Sequence, residues 1–352
     1  MRAITDLPSL IKDLSPQQQH LFQRIFDVSA DTGRLTVPED MQGWVEDTFG
    51  EVDDVEEQRI VRIANRLTDE AALFNGLRAN RPIDAEESVD VDDLIEEHSD
   101  GPFSTPKTGT PEDVFGRVEN KYAVSASNIA KYDARHGLII ADDVDPLSFD
   151  QADLRGRFAL ADDWFDAASD EKHRYPFLMW NCLWKSGASI VHSHMQLLLA
   201  KSRPYRRIDR LNRSAKIYKE SFERDLYDDI HRAHDTVGLS LDLDGVDAYA
   251  HLTPRKEKEV VITADDRGEA MADAVHTVLR TFIDDLGVQS FNVGVYYPPR
   301  SDEEWHLPVV ARIVDRGSLE SKTTDMGGME VYGGENVVAS DPYAVKRAVN
   351  DE

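Results

Sequence analysis

The sequence has a single cysteine, Cys182, in 352 residues. One thiol forms no disulfide within the chain and builds no cysteine-based zinc site, so a reducing, cytoplasmic setting fits. Positive charge is also scarce. Lys and Arg number 40 against 67 Asp and Glu, a formal net charge of −27. A nucleic-acid backbone needs a basic footprint, so this imbalance argues against nucleic acid as a partner and likewise against an anionic membrane surface. No apolar run approaches the roughly 20 residues of a membrane-spanning helix. The opening residues, Met1-Arg2-Ala3-Ile4-Thr5-Asp6, lack the apolar core of a signal peptide. The acidic excess suits a carboxylate-rich surface solvated at high salt and points to a halophilic source.

The chain is 41% hydrophobic, enough for a sizeable core in two domains or two similar halves. Residues 1–113 read as a helical N-terminal region with an acidic linker. Leu7, Leu10, Ile11, Leu21, Phe22, Ile25 and Phe26 recur at helix-face spacing, Ser15-Pro16 is a helix start, and residues 55–74 continue in that style. Residues 83–112 are acidic and end in Pro and Gly, a surface excursion. Residues 114–205 then run strand (115–124), strand (137–141), amphipathic helix (150–168), strand (175–183), turn and strand. Residues 206–245 are connecting helix. Residues 246–345 repeat the pattern more weakly, with Ser290 to Tyr297 matching Pro176 to Asn181, and Trp305 to Arg312 matching Val191 to Ala200. The expected architecture is α+β: duplicated halves, an antiparallel sheet with helices packed across it, and a helical N-terminal extension.

The stretch that organises the chain is Ser186-Gly187-Ala188-Ser189-Ile190-Val191-His192-Ser193-His194-Met195-Gln196. Side chains alternate along a strand, so His192, His194 and Gln196 share one face. As a metal site, two histidines are too few, and the Asp and Glu that abound everywhere single out no third ligand. As core residues, three polar side chains on one buried face are costly to satisfy. As chemistry, an imidazole is a competent nucleophile near neutral pH once an acceptor holds its second nitrogen. The Ser-Gly-Ala-Ser turn offers N–H and hydroxyl donors to phosphate oxygens.

With these residues the chain resembles the histidine-triad superfamily in its transferase branch. That branch contains the galactose-1-phosphate uridylyltransferases and the diadenosine tetraphosphate phosphorylases, and it carries His-x-His-x-Gln. Asn181 precedes His194 by 194 − 181 = 13 positions, and Gly187-Ala188-Ser189 fills the branch's Gly-x-Ser. The resemblance covers residues 114–200 well and 246–345 weakly. It implies a nucleotidyltransferase with His194 as nucleophile of a nucleotidyl-histidine intermediate and Gln196 as the ligand of its phosphoryl oxygens. It implies phosphate contacts from Gly187, Ser189 and Asn181, and a ribose contact from Asn120. It raises Arg78 and Arg81 from surface ion pairing to phosphate contact, and sets Glu330 near a hexose. The partners implied are a nucleotide sugar or dinucleotide, a sugar phosphate or inorganic phosphate, and a second copy of the chain in a homodimer.

The chain also departs from the family. Many uridylyltransferases hold zinc with a Cys-x-x-Cys pair and an extra histidine. Here the cysteine pair is missing, and the region of that histidine reads Ala141-Asp142-Asp143-Val144. Zinc held in that form is therefore excluded, no other metal or cofactor is assigned, and His192 is left a hydrogen-bonding role. In the second half only His306 remains, with Pro308 in place of a second functional side chain. The glycine-rich stretch 325–336 is either a loop closing on a ligand or tight turns about a short strand. A hydrolase of the same fold and a nucleotide sensor without turnover are the alternative readings.

Overall fold

The structure, a computed structural model, describes residues 2–80 and 89–351. Arg81 lies outside the described residues. Among the described residues, strands β1 (Phe26–Arg34), β2 (Glu57–Asn65), β3 (Glu70–Phe74) and β13 (Asn336–Val338) form one sheet in the order β1-β2-β3-β13. The remaining strands are β4 (Ala123–Ser127), β5 (Arg135–Ala141), β6 (His173–Asn181), β7 (His194–Lys201), β8 (Ser240–Leu241), β9 (Asp247–Ala250), β10 (Glu257–Ala264), β11 (Phe291–Tyr296) and β12 (Val309–Asp315). They make a nine-stranded antiparallel sheet in the order β4-β5-β7-β6-β11-β12-β10-β9-β8.

Reading inward from β4 and from β9 gives the same succession of strands, which is the duplication expected from the sequence. The halves join where β6 pairs with β11, Asn181 opposite Asn292 and Phe177 opposite Tyr296. The two runs are not superimposed by their phenylalanines, as the sequence match suggests. Phe291 packs edge-on against Trp180, with centroids 5.0 Å apart, whereas Phe177 lies on the other face against Tyr205 and Tyr296. Side-chain alternation makes a one-residue offset a change of face.

Helices Gln151–Ala168 and Glu269–Arg280 cover one face of the sheet. Asp150 caps the first by accepting from the Asp153 N–H at 2.7 Å. Its Trp164 reaches β5 at Gly137, where a Cβ would come within 2.4 Å of the indole, so only glycine permits that approach.

The N-terminal region is not simply helical. Ser15 does cap the helix Pro16–Ile25, in a capping box with Gln18. Residues 57–65, however, bury Val61, Ile63 and Asn65 at every second position. Two of these are β-branched, and alternation with branched side chains favours a strand. Likewise the strand expected over 115–124 begins only at Ala123. The stretch before it is turns, in which Asn120 accepts from the N–H groups of Tyr122 and Ala123.

The smaller sheet docks on the second half through buried charges. Arg312 donates to Glu70 and to Glu259, both at 2.7 Å, and Arg207 also reaches Glu70. Burial raises the Glu70 pKa, but Arg312 and then Arg207 outweigh it and hold the carboxyl down to about 2. Replacing Arg312 with Ala leaves two buried carboxylates short of their countercharge, with an expected loss of about 3–5 kcal/mol in denaturant unfolding. In the unaltered protein the contribution of Glu70 is complete above its ordinary value of 4.5 and fades as pH falls toward about 2. Acid unfolding should show that dependence, and the Arg312 variant should lose it.

Candidate active site

The end of β7 where the strand begins is pinned to β5. His192 donates from Nε2 to the Ala141 carbonyl at 2.9 Å, the Ala141 N–H donates to the Ser193 carbonyl at 3.0 Å, and the Ser193 N–H donates to Val144 at 2.9 Å. His192 is buried, and its Nδ1 has no partner among the described residues. Burial lowers its pKa, against the pull of the Ala141 carbonyl.

His194 is partly exposed. Its Nδ1 donates to the carbonyl of His192 at 2.8 Å. The proton is thereby fixed on Nδ1, and the lone pair sits on Nε2. Burial lowers the pKa of this imidazole below the ordinary 6.5, opposed by the same carbonyl. Its ring lies edge-on to Phe103, with centroids 5.2 Å apart, and the His192 ring does the same at 6.0 Å.

Gln196 is buried one step along the same face. His136 on β5 orients it. Nδ1 of His136 accepts from the Tyr132 N–H at 3.0 Å, so Nε2 carries the proton and donates to Gln196 Oε1 at 3.0 Å. The Gln196 carbonyl is thereby engaged, and its NH2 group is left for another acceptor.

Asn181 pairs laterally with the second half. Met179 is opposite Gln196 in the β6–β7 register, so continuing that register places Asn181 opposite His194. The spacing of 13 residues is thus a consequence of one hairpin register. Asn292 Nδ2 donates to Asn181 Oδ1 at 2.7 Å and to the Ser186 carbonyl at 3.0 Å. Arg316 holds the Asn292 carbonyl and forks onto Asp325 at 2.7 and 2.8 Å.

The turn between β6 and β7 is exposed at Gly187 and Ser189. Gly187 takes φ +94°, which a side chain would resist. Leu183, at φ 61° and ψ 175°, sits in a region that is essentially glycine's, and its carbonyl receives the N–H groups of Ser186 and Ala188. Lys185 donates to the Thr323 carbonyl at 2.6 Å, which brings the C-terminal loop against this turn.

Other expected residues lie apart from these contacts. Asn120 donates to the Gly156 carbonyl at 2.8 Å and so spends its side chain on local structure, although it borders a cavity of about 370 Å³ with Phe103, Lys121 and Ala141. Arg78 is exposed on the turn Gly76–Asn80 that follows β3. Glu330 accepts from the Gly327 N–H at 2.8 Å and lies 3.8 Å from Lys256. His306 and Pro308 line a separate cavity of about 620 Å³ with Asp247 and Thr263. Asp247 and Thr263 stand opposite each other in the β9–β10 register, at the end of the sheet away from His194.

The residues present do not fit the zinc site of the uridylyltransferases. Nε2 of His192 is committed to a carbonyl, and Cys182 is buried as a lone thiol. Among the described residues no group of three His, Cys, Asp or Glu side chains is placed to hold a metal. No helix among them is long and apolar enough to cross a membrane.

Sequence reasoning missed His136, Asn292 and Phe103. His136 is a polar residue opening the apolar strand Gly137 to Ala141, and Asn292 interrupts an apolar one; both are signals of a partner on the buried face. Phe103 lay in the stretch taken for an acidic excursion, and it packs with Ala126, Leu138, Ile140 and Ile190 on the histidine face.

No family model matches the sequence, and no curated protein sequence matches it. Solved structures do share the fold. An ADP-glucose phosphorylase from Arabidopsis thaliana with bound ADP-glucose matches with a TM-score of 0.64 at 16% identity, over 81% of this chain and 96% of that one. A galt-like protein from Arabidopsis thaliana gives 0.62 at 15% identity, over 82% and 97%. A uridylyltransferase mutant gives 0.56 at 14% identity, over 72% and 93%. The chain shares the fold of these solved structures, with the strand succession repeated in its two halves.

Nitrogen NMR of histidine-labelled protein should find His194 as the neutral Nδ1–H tautomer with a titration midpoint below 6.5. An Nε2–H tautomer, or a midpoint above that value, contradicts the geometry.

Proposed function

We propose that this protein is a nucleotidyltransferase that works through a nucleotidyl-histidine on His194. The observation that carries the reading is the bond from His194 Nδ1 to the His192 carbonyl, which leaves Nε2 as a neutral nucleophile on the face shared with Gln196 and Asn181. Nε2 attacks the α-phosphorus of a nucleoside diphosphate-sugar or a dinucleoside polyphosphate. The P–N bond forms as the bond to the leaving phosphate oxygen breaks, and the leaving group departs as a sugar phosphate or nucleotide. An oxygen of inorganic phosphate or of a sugar 1-phosphate then attacks the same phosphorus, and the P–N bond breaks. The Gln196 NH2 group, turned by His136, donates to a non-bridging oxygen in both steps. The exposed turn at Gly187 and Ser189 supplies further donors.

The fold is that of a phosphorylase seen with ADP-glucose, which supports a nucleotide sugar as donor. Gln196 at the position where the hydrolytic branches of the resembled family carry a third histidine supports transfer to a phosphate over transfer to water. A homodimer belongs to the same proposal.

The test is single-turnover labelling with an α-phosphate-labelled donor, followed by discharge with phosphate, sugar 1-phosphate or buffer alone. His194→Gly should give no label. Gln196→Ala, which removes one donor from the phosphoryl oxygens, should slow labelling about 100-fold. Discharge should require a phosphate acceptor. Discharge by water at the same rate makes the protein a hydrolase, binding without label makes it a sensor, and label on the Gly variant at the native level removes the nucleophile assignment.

A further inference from the structure

Behind the catalytic strand, on the helix side of the sheet, lies a buried charge that the proposed chemistry leaves unused. Arg157, on the helix Gln151–Ala168, is 1% exposed. A buried guanidinium is costly unless its donors are satisfied and its charge is matched. Here both are incomplete. Nη1 donates to the neutral hydroxyl of Ser193 at 2.9 Å, and Nη2 donates to Asp153, a partly exposed carboxylate of the same helix, at 3.1 Å. Nε has no partner among the described residues. The guanidinium also lies 5.9 Å from the Trp180 ring centroid. Ser193 is the residue between His192 and His194. A fixed positive charge therefore stands beneath the peptide that presents the nucleophile, in a chain of net charge −27.

We propose that Arg157 is an electrostatic positioning residue of the site. It projects positive potential through the stretch His192-Ser193-His194, where it disfavours the imidazolium form of the nucleophile and draws in the phosphate of the donor. This rests on the nucleotidyl-histidine reading. A charge inside the protein is screened far less than one at the surface, so a single buried arginine can offset a wide acidic exterior locally. The charged and titratable groups around it are Asp143, Asp150 and Asp153, and His192, which itself faces Asp142 and Asp143; His194 in turn faces His192. With only the Ser193 residue linking the bonded cation to His194, and with an effective dielectric between water and protein interior, the charge shifts a titration by about one pH unit. The sign is downward for a histidine, because the cation opposes protonation.

The experiment follows the pH dependence of nucleotidyl-enzyme formation in single turnover. It compares the native protein with Arg157→Met, Arg157→Lys and Ser193→Ala, each checked for folding by thermal denaturation. The Met variant should move the acid midpoint up by about one unit and weaken donor binding several-fold. The Lys variant should restore both, and Ser193→Ala, which cuts the hydrogen bond and keeps the charge, should leave the midpoint in place. A folded Met variant with the native midpoint overturns the proposal, as does a Ser193→Ala variant that reproduces the Met effect. If the Met variant does not fold, Asp153→Asn carries the test: with the arginine less neutralised, the midpoint must fall, and an unchanged midpoint overturns the proposal. Native protein that forms no adduct at any pH sinks the nucleotidyl-histidine reading itself, a result distinct from the others.

Discussion

One hydrogen bond sets the rest of the site in order: His194 Nδ1 to the carbonyl two residues behind it. It decides which nitrogen is free, and it works only if the His192 carbonyl is held still. That is the service of the strand end. His192, Ala141, Ser193 and Val144 exchange three bonds at the point where β7 begins. The first histidine of the pair thus ties the strand end to β5, and burial lowers its pKa there. Gln196 is subject to the same logic one step further along. A histidine from the neighbouring strand engages its carbonyl, so the amide presents its donors to the site.

The duplication explains what the second half contributes. Because the halves meet through the antiparallel pair β6 and β11, their equivalent strand ends point to opposite ends of the sheet. His306 and Pro308 therefore lie far along the sheet from His194 and line a different cavity. The part of the second half that does reach the site is the start of β11 and the segment after β12. Asn292 and Arg316 buttress Asn181 and the Ser186 carbonyl, and Asp325 anchors Arg316. The C-terminal loop is held against the turn between β6 and β7 through Lys185 and Thr323.

Much of this was legible in the sequence. The histidine strand, its face, the helix Gln151–Ala168 and the repeat all follow from local periodicity and from residue types that have few other uses. The small sheet was not legible. Its strand Glu57–Asn65 carries charges at its outward positions, and the buried Val61 and Ile63 leave too short an apolar pattern to separate a strand from a helix. Docking through Glu70 and Arg312 is long-range and leaves no local trace. His136 and Phe103 escaped for a related reason. Each belongs to the site only through strand pairing or loop packing, and neither stands near the motif in sequence. Arg78 was drawn toward the site by resemblance alone and stands exposed on a turn after β3. The buried cation beside the histidine strand is Arg157.

The central claim is a covalent intermediate on His194, and the stereochemical course at phosphorus tests it most directly. A donor made chiral at the α-phosphorus by sulfur substitution is turned over with a phosphate acceptor, and the configuration of the product is determined. Two successive in-line displacements, one by Nε2 and one by the acceptor, predict overall retention. Inversion would mean a single direct displacement and would contradict the account.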